Sequence, residues 1–323
     1  MIITVTLNAA IDRTLAVPNF RLGRRHRSVE QRSMAGGKGV NVARALKKLG
    51  QPVIATGVAG GPTGTRIIEQ LTEEAILNDF VRIREESRTS IAVVDPTSGE
   101  QTEINERGPT VSESELELFV DKLLYLAKGA AVCVFSGSLP RGVPTGLYAD
   151  LITEVGKLGV TTVLDSEGEA LRLATRAGPT VVTPNEIEAE ELVGHEFSDA
   201  GDHPYALREI AEVGAREAIL TLPTGCVAYV GEEGDRRLYR AQIEQGVVET
   251  VSAVGAGDSF LAGYVASRYS GEAPDKCLRF AVACGAESVQ HFGAGVIDPK
   301  EVGRLVDEVT VEPLAEPAMS SRG

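Results

Sequence analysis

The sequence predicts an α/β fold: a mostly parallel sheet with helices on both faces, plus a small β-sheet lid. Two observations carry this. Short Val/Ile-rich runs at 2–7, 53–58, 131–135, 160–164, 180–183, 218–222 and 226–230 alternate with longer segments of helical period. Such strand–helix alternation builds parallel sheets, because each crossover helix covers one face of the sheet. Two stretches, 13–34 and 88–108, break the rhythm: short strand-like runs joined by Pro, Gly and Ser turns, with no helix between. These are expected to fold together as the lid. The expected division is 1–12, 35–87 and 109–312 as catalytic core, 13–34 and 88–108 as lid, and 313–323 as a flexible tail of small and polar residues.

The helical segments are justified by spacing. Within 38–49, Val42, Ala45, Leu46 and Leu49 recur at i, i+3, i+4 and i+7, one buried face. Further helices are expected at 113–127, 144–157, 203–213, 257–270 and 275–290.

Composition narrows the function. The chain has 323 residues with 32 Lys plus Arg against 46 Asp plus Glu, a formal net charge of −14, and 43% apolar residues. A chain this acidic is a poor nucleic-acid or anionic-membrane binder. No run approaches the ~18 apolar residues of a membrane span. The N-terminal MIITVTLNAA has no basic leader region and alternates like a first strand. Four cysteines (133, 226, 277, 284) make no CxxC pair. Cys277 and Cys284 share a helix face roughly 10 Å apart, too far to bridge. Reduced cysteines in a cytoplasmic protein are expected.

Four segments carry possible chemistry. In the first, a strand-like run leads through Gly255-Ala256-Gly257-Asp258 into a helix. Small residues admit a ligand close to the backbone, and the first helical amides, having no internal acceptor, point at an anion. The positive helix end is expected to keep Asp258 ionised near neutral pH. A carboxylate beside an anion hole suits phosphoryl transfer to a hydroxyl: one group takes the proton, the amides hold the developing charge. The structural alternative is an Asp N-cap after a tight turn. GxGxxG fails here, because Phe260 stands where glycine is needed.

The second segment is Gly36-Gly37-Lys38-Gly39-Val40-Asn41, which fails the Walker A spacing but could bind a polyol or phosphate through amides, Lys38 and Asn41. In the third, Pro184-Asn185-Glu186-Ile187-Glu188, Asn185 and Glu188 share a helix face and could hold hydrated Mg²⁺. The competing reading there is a capping box. In the fourth, Ser138 follows an apolar strand and could reach the carboxyl edge of the sheet, where α/β ligands sit. The histidines (26, 195, 203, 291) make no metal-ligand pattern.

Together these segments resemble the ribokinase-like sugar kinases, and within them the phosphohexose branch of 1-phosphofructokinases, tagatose-6-phosphate kinases and minor 6-phosphofructokinases. The resemblance runs from Leu7-Asn8-Ala9-Ala10-Ile11-Asp12 to about Val296 and includes both signatures, Gly36–Asn41 and Val254–Asp258. It implies that Asp258 is the base and that Gly255, Ala256 and Gly257 form the anion hole. It further implies that Asp12, Gly37, Lys38, Asn41 and Ser138 hold the sugar, with Arg88 and Arg25 on its existing phosphate. Asn185 and Glu188 match an Asn-x-x-Glu that organises Mg²⁺ and nucleotide phosphates. Thr183 and Thr221 to Gly225 lie on the nucleotide side, and a monovalent cation site falls near Ser252, Val254 and Gly293. The sequence departs from the branch at Thr183 (usually Lys), at Pro223 (usually Gly) and at Ala9 (usually Pro).

The implied function is an ATP- and Mg²⁺-dependent kinase of a phosphorylated ketohexose, working as a homodimer joined through the lid. Fructose 1-phosphate, giving fructose 1,6-bisphosphate, stands first, then tagatose 6-phosphate or fructose 6-phosphate. A kinase of an unphosphorylated sugar or nucleoside, and a non-catalytic sugar-phosphate sensor, are the alternatives.

Overall fold

The computed structural model describes residues 1–315 and forms the expected strand–helix alternation. From the N-terminus, β1 (Ile2–Thr6), β2 (Ala10–Ala16) and β3 (Glu30–Gly36) precede α1 (Lys38–Lys48). Then come β4 (Val53–Gly60), α2 (Gly61–Glu73), β5 (Leu77–Ile83), β6 (Arg88–Val94), β7 (Gln101–Asn105) and α3 (Glu113–Ala127). The middle of the chain supplies β8 (Val132–Ser136), α4 (Leu147–Lys157), β9 (Thr161–Asp165), α5 (Gly168–Arg176), β10 (Val181–Val182), α6 (Glu186–Val193) and α7 (His203–Val213). The last part is β11 (Glu217–Leu222), β12 (Gly225–Val230), β13 (Arg237–Ile243), α8 (Ala256–Tyr269), α9 (Pro274–Ser288), α10 (Pro299–Leu305) and β14 (Val309–Pro313).

The large sheet has the order β14-β13-β12-β11-β10-β9-β8-β1-β4-β5. From β5 to β11 every pairing is parallel, and β12, β13 and β14 add antiparallel strands at one edge. Period-two alternation sends neighbouring side chains to opposite faces. Ile2, Val132, Val163 and Val181 join a core with α1, α2, α8 and α9, while Ile3, Cys133, Leu164 and Val182 join a second core with α3 to α7. Both faces are covered, so the central strands read as continuous apolar runs. All four cysteines are free and buried.

Residues interrupting the alternation form a second sheet, β3-β2-β6-β7. It takes in Ala10–Asp12 and Ala35–Gly36, which the sequence reading assigned to the core, because β2 and β3 pair along their whole length from Ala10↔Gly36 to Ala16↔Glu30. Helix α4 starts at Leu147, three residues later than expected, because Pro144 to Gly146 make a turn first, with Leu147 N–H donating to the Pro144 carbonyl. The expected tail is also shorter: Pro313 pairs with Tyr239 at the end of β14, and Leu314 N–H donates to Leu238 at 2.8 Å. Completing the exposed edge of β13 is the physical reason. The rest of that tail lies outside the described residues. Among the described residues no helix is long and apolar enough to cross a membrane.

Candidate active site

The carboxyl ends of the parallel strands open on one cleft of about 1370 Å³. Thr6 and Asn8 reach it from β1, Ser136 to Ser138 from β8, Asp165 and Glu167 from β9, and Thr183 and Asn185 from β10. This is where parallel α/β sheets place ligands. The small sheet supplies the opposite wall. Its register sets Asp12 beside Ser90 and Ser90 beside Asn105, and likewise Thr14 beside Ala92 and Ala92 beside Glu103. All six line the cleft, as one face of the small sheet should.

The cleft gathers Asp12, Gly37, Lys38, Asn41, Arg88, Ser138, Thr183, Asn185, Glu188, Thr221, Gly225 and the Gly255–Asp258 turn. Arg25 stays outside it, on the exposed 18–29 connection. Arg13, Arg107 and Arg141, which the sequence reading did not single out, line it instead.

At the centre is Asp258, in the first turn of α8, buried and accepting a hydrogen bond at Oδ2 from Asn41 Nδ2 at 2.9 Å. The expectation of a carboxylate held low by the helix end is overturned. Burial pushes Asp258 up to about 7, and Asp165 adds to the rise, against the pull of Lys38 and Asn41. Desolvation outweighs the helix dipole because the residue is only 6% exposed. A group near 7 is nevertheless well matched to general-base work at neutral pH.

The turn before α8 needs Gly255, which has φ +76° and whose added Cβ would meet Ala294 Cβ at 2.6 Å. Of the three expected amide donors, Ala256 N–H is engaged by the Ala253 carbonyl at 3.2 Å. Gly257 faces open space: a Cβ there would meet nothing within 4 Å.

Lys38, which lines the cleft, is paired there with carboxylates. Its Nζ lies 3.0 Å from Asp165 Oδ1 and 3.8 Å from Glu188 Oε1, bridging the glycine turn to α6. Burial alone would lower its pKa, but Asp165, Glu188 and Asp258 raise it well above the usual lysine range. Asn185 and Glu188 form the capping box: Asn185 Oδ1 accepts from Glu188 N–H, and Glu188 Oε2 accepts from Asn185 N–H, each at 2.9 Å. The structural reading of this pair is realised, and it leaves Glu188 Oε1 towards Lys38. Burial raises the Glu188 carboxyl, and Lys38 opposes it. Thr183 Oγ1 donates to the Leu164 carbonyl, and Thr221 pairs with Pro184, so both support the loop that carries Asn185. Ser252 is buried, its Oγ accepting from Val254 N–H at 3.3 Å.

On the acceptor side, Gly37 N–H donates to Asp12 Oδ2 at 3.4 Å. A Cβ at Gly36 would sit 1.9 Å from that same oxygen, so any side chain there would displace the Asp12 carboxylate. Arg88 is fixed from two directions, Nε on the Asn8 carbonyl at 3.1 Å and Nη1 on the Glu106 carbonyl at 3.2 Å. Asn8 Nδ2 donates to Ser138 Oγ at 3.2 Å. Four buried polar atoms behind the wall, Thr6 Oγ1, Asn8 Oδ1, Ser90 Oγ and Ser136 Oγ, have no hydrogen-bond partner among the described residues. Buried groups of this kind normally find partners.

Comparison with known proteins identifies the family. The profile described as pfkB family carbohydrate kinase matches residues 3–301. A tagatose-6-phosphate kinase of Staphylococcus epidermidis is 32% identical over 318 residues, covering 96% of this chain and 99% of the relative. A 1-phosphofructokinase of Borreliella burgdorferi is 30% identical over 312 residues, covering 97% and 98%. The structure of phosphofructokinase-2 from Escherichia coli in complex with potassium superposes with a TM-score of 0.85 at 28% identity, covering 95% of this chain and 98% of that one. The chain therefore belongs to the pfkB family of carbohydrate kinases, phosphotransferases that act on a sugar hydroxyl. The expected ribokinase-like class, a large mostly parallel sheet with helices and a separate small sheet, is borne out.

Proposed function

We propose that the protein is an ATP-dependent kinase of a phosphorylated ketohexose, with fructose 1-phosphate as the leading acceptor and fructose 1,6-bisphosphate as product. The observation that carries the reading is Arg88 in the acceptor wall. Its guanidinium is held by two backbone carbonyls and opens on the cleft beside Asp12. A fixed planar fork is the side chain suited to a phosphate, whereas an uncharged sugar offers it only hydroxyl acceptors and no countercharge. The Asp12, Asn41 and Ser138 side chains, which line the same cleft, suit the hydroxyls of that molecule. Tagatose 6-phosphate is the second reading, supported by the 32% match along almost the whole of a tagatose-6-phosphate kinase.

In this mechanism Asp12, Asn8 and Ser138 orient the sugar, and Asp258 accepts the proton of the attacking hydroxyl. The new bond joins that oxygen to the γ-phosphorus as the bond to the ADP oxygen breaks, and the amides of the Gly255–Asp258 turn other than that of Ala256, which is bonded to the Ala253 carbonyl, hold the equatorial charge. Glu188 Oε1 is the carboxylate suited to a hydrated Mg²⁺, with Asn185 fixing Glu188 rather than binding the ion. Bound there, the ion would neutralise charge on the nucleotide phosphates. The small sheet, closing over the acceptor, would exclude water that otherwise hydrolyses the nucleotide.

The test is ADP release with ATP and Mg²⁺ against fructose 1-phosphate, fructose 6-phosphate, tagatose 6-phosphate, free fructose and adenosine, with potassium or tetramethylammonium as counterion. One phosphosugar should show kcat/KM at least about tenfold above the rest, roughly the ratio that 1.4 kcal/mol supplies. Arg88→Ala should raise KM for it about 30-fold, as loss of a charged hydrogen bond does, and leave any neutral acceptor unmoved. Equal KM in the variant sinks the phosphate anchor, and equal rates with both counterions discard a monovalent cation near Ser252, Val254 and Gly293.

The homodimer is proposed through the small sheet, whose outer strand β7 is exposed at Glu103 and Ile104. Unpaired strand edges invite a partner. Light scattering at micromolar protein should give twice the 34.2 kDa chain mass, and a monomer alone would overturn it.

A further inference from the structure

Behind the catalytic carboxylate lies a cation that the reaction scheme does not use. Arg44, on α1, is 3% exposed and makes five hydrogen bonds. Nε and Nη2 hold the two Glu74 oxygens at 2.5 and 3.1 Å, at the end of α2. Nη2 also donates to the Ala35 carbonyl at 2.6 Å, just before the Gly36-Gly37 turn. Nη1 donates to the Ala294 carbonyl at 3.3 Å and to Asn41 Oδ1 at 3.2 Å. Asn41 then donates through Nδ2 to Asp258 Oδ2.

A guanidinium is donor only, and an ionised carboxylate is acceptor only. The amide between them therefore has a single consistent orientation, oxygen to Arg44 and nitrogen to Asp258. An amide with nothing on its oxygen would be free to turn over and set oxygen against oxygen. We propose that Arg44 is a positioning residue for phosphoryl transfer: by holding Asn41 Oδ1 it aims Asn41 Nδ2 at Asp258 Oδ2 and so reserves the other carboxylate oxygen for the proton of the sugar hydroxyl. The proposal rests on the reading of Asp258 as the base. Arg44 also ties this relay to Ala294, the residue against which Gly255 packs, and to Ala35 at the base of the small sheet. One buried side chain thus spans the base, the anion hole and the sugar turn.

The groups facing Asp258 are Asp165 at the end of β9, Asp12 on β2, and Lys38 and Asn41 on α1. The two carboxylates raise it, and Lys38 and the Asn41 donor lower it. Losing the donor removes one restraint, so ionisation moves to higher pH. Arg44→Lys keeps the charge and can still meet Glu74, but it loses the fork. Its kcat should fall about 10–100-fold, with KM for both substrates within about threefold and the acid limb of the kcat–pH profile moved upward.

A double-mutant cycle separates positioning from a merely structural role. In an Asn41→Ala background, Arg44→Lys should cost less than about twofold in kcat, because the group it aims is gone. If Arg44→Lys does not fold, Glu74→Gln takes its place in the same cycle, with a smaller loss of the same pattern. Equal losses in both backgrounds, or a lowered Tm with kcat and pH profile intact, overturn the relay. Asp258→Asn is assayed alongside. Full kcat there removes the base assignment itself, whereas additive losses with an inactive Asp258→Asn remove the relay alone.

Discussion

Asp258→Asn lowers kcat by about 10³-fold, the share a positioned general base contributes, while the fold and the KM for both substrates stay near those of the parent. Asparagine has the same shape and still offers an oxygen to Asn41 Nδ2, so the local packing survives. What it lacks is a site for the proton of the attacking hydroxyl. With the carboxyl pushed up to about 7 by burial, kcat in the parent rises through neutral pH and levels off above it. A parent profile already flat at pH 5 would mean that another group takes the proton.

The same substitution carries an opposite effect on stability. Burial raises the Asp258 carboxyl in the folded state, from an ordinary 3.8 to about 7. The stability this group contributes as a neutral acid is fully present below 3.8 and is lost as pH rises through about 7. Above that, the folded protein carries a buried charge that the unfolded chain carries in water at no such cost. Asp258→Asn should therefore melt at a higher temperature than the parent at pH 8, with the difference shrinking as pH falls toward 4. A Tm difference that grows on acidification would show that burial is not what raises the carboxyl. Activity and stability pull apart at this residue because burial, which makes the proposed base strong enough at neutral pH, also makes its charge costly in the folded state.

Most of the frame was legible because it depends on local pattern. Val42, Ala45, Leu46 and the short Val-rich runs follow the periods of a helix and of doubly buried strands, and the structure places them there. The interruptions at 13–34 and 88–108 were legible for the opposite reason, as strands with no crossover helix. Elements built against local preference were not. Helix α2 opens on Gly-Pro-Thr-Gly and is held by Ile67 and Leu71 in the core, and β13 carries Arg237 and Arg240 among its apolar residues. Tertiary packing decides both.

In the site, glycine turns ahead of helices marked Gly36–Asn41 and Gly255–Asp258, because backbone geometry there needs glycine. Partners distant in sequence left less trace. Asp165 could have been found as the polar residue closing the apolar run Thr161–Asp165, but its pairing with Lys38 spans 127 positions. Arg44 reads in sequence as one more polar position on an amphipathic helix, and only the meeting of α1, α2, β3 and the 294 loop buries it. The ionisation of Asp258 was misjudged for a related reason. A helix start is visible in sequence, whereas the depth of burial that outweighs it is not.

Gly255→Ala is expected to lower kcat by about 10²–10³-fold, the usual loss when one donor to a developing oxyanion is misplaced. Two constraints meet at this residue. Its φ of +76° lies in the left-handed region, where a side chain costs roughly 1–2 kcal/mol. Its Cβ would also meet Ala294 Cβ at 2.6 Å and Ala294 Cα at 2.9 Å, closer than packed atoms tolerate. The Ala294 side cannot simply give way, because Arg44 Nη1 holds its carbonyl at 3.3 Å. The movement falls instead on the 255–257 turn, whose amides then point away from the transferring phosphoryl group. Gly257→Ala supplies the contrast: its Cβ would enter open space, with no neighbour within 4 Å. That variant should keep its Tm and lose rate only by crowding the phosphate, whereas Gly255→Ala should lose rate and a few degrees of Tm together. Rate retained in Gly255→Ala would mean that the helix start does not hold the charge. The burden would then pass to Lys38 and to the nucleotide's own metal. Rate lost in Gly255→Ala and recovered in part by Ala294→Gly in the same chain would assign that part to the opposing methyl, since the contact with Ala294 Cα and the left-handed φ remain in both.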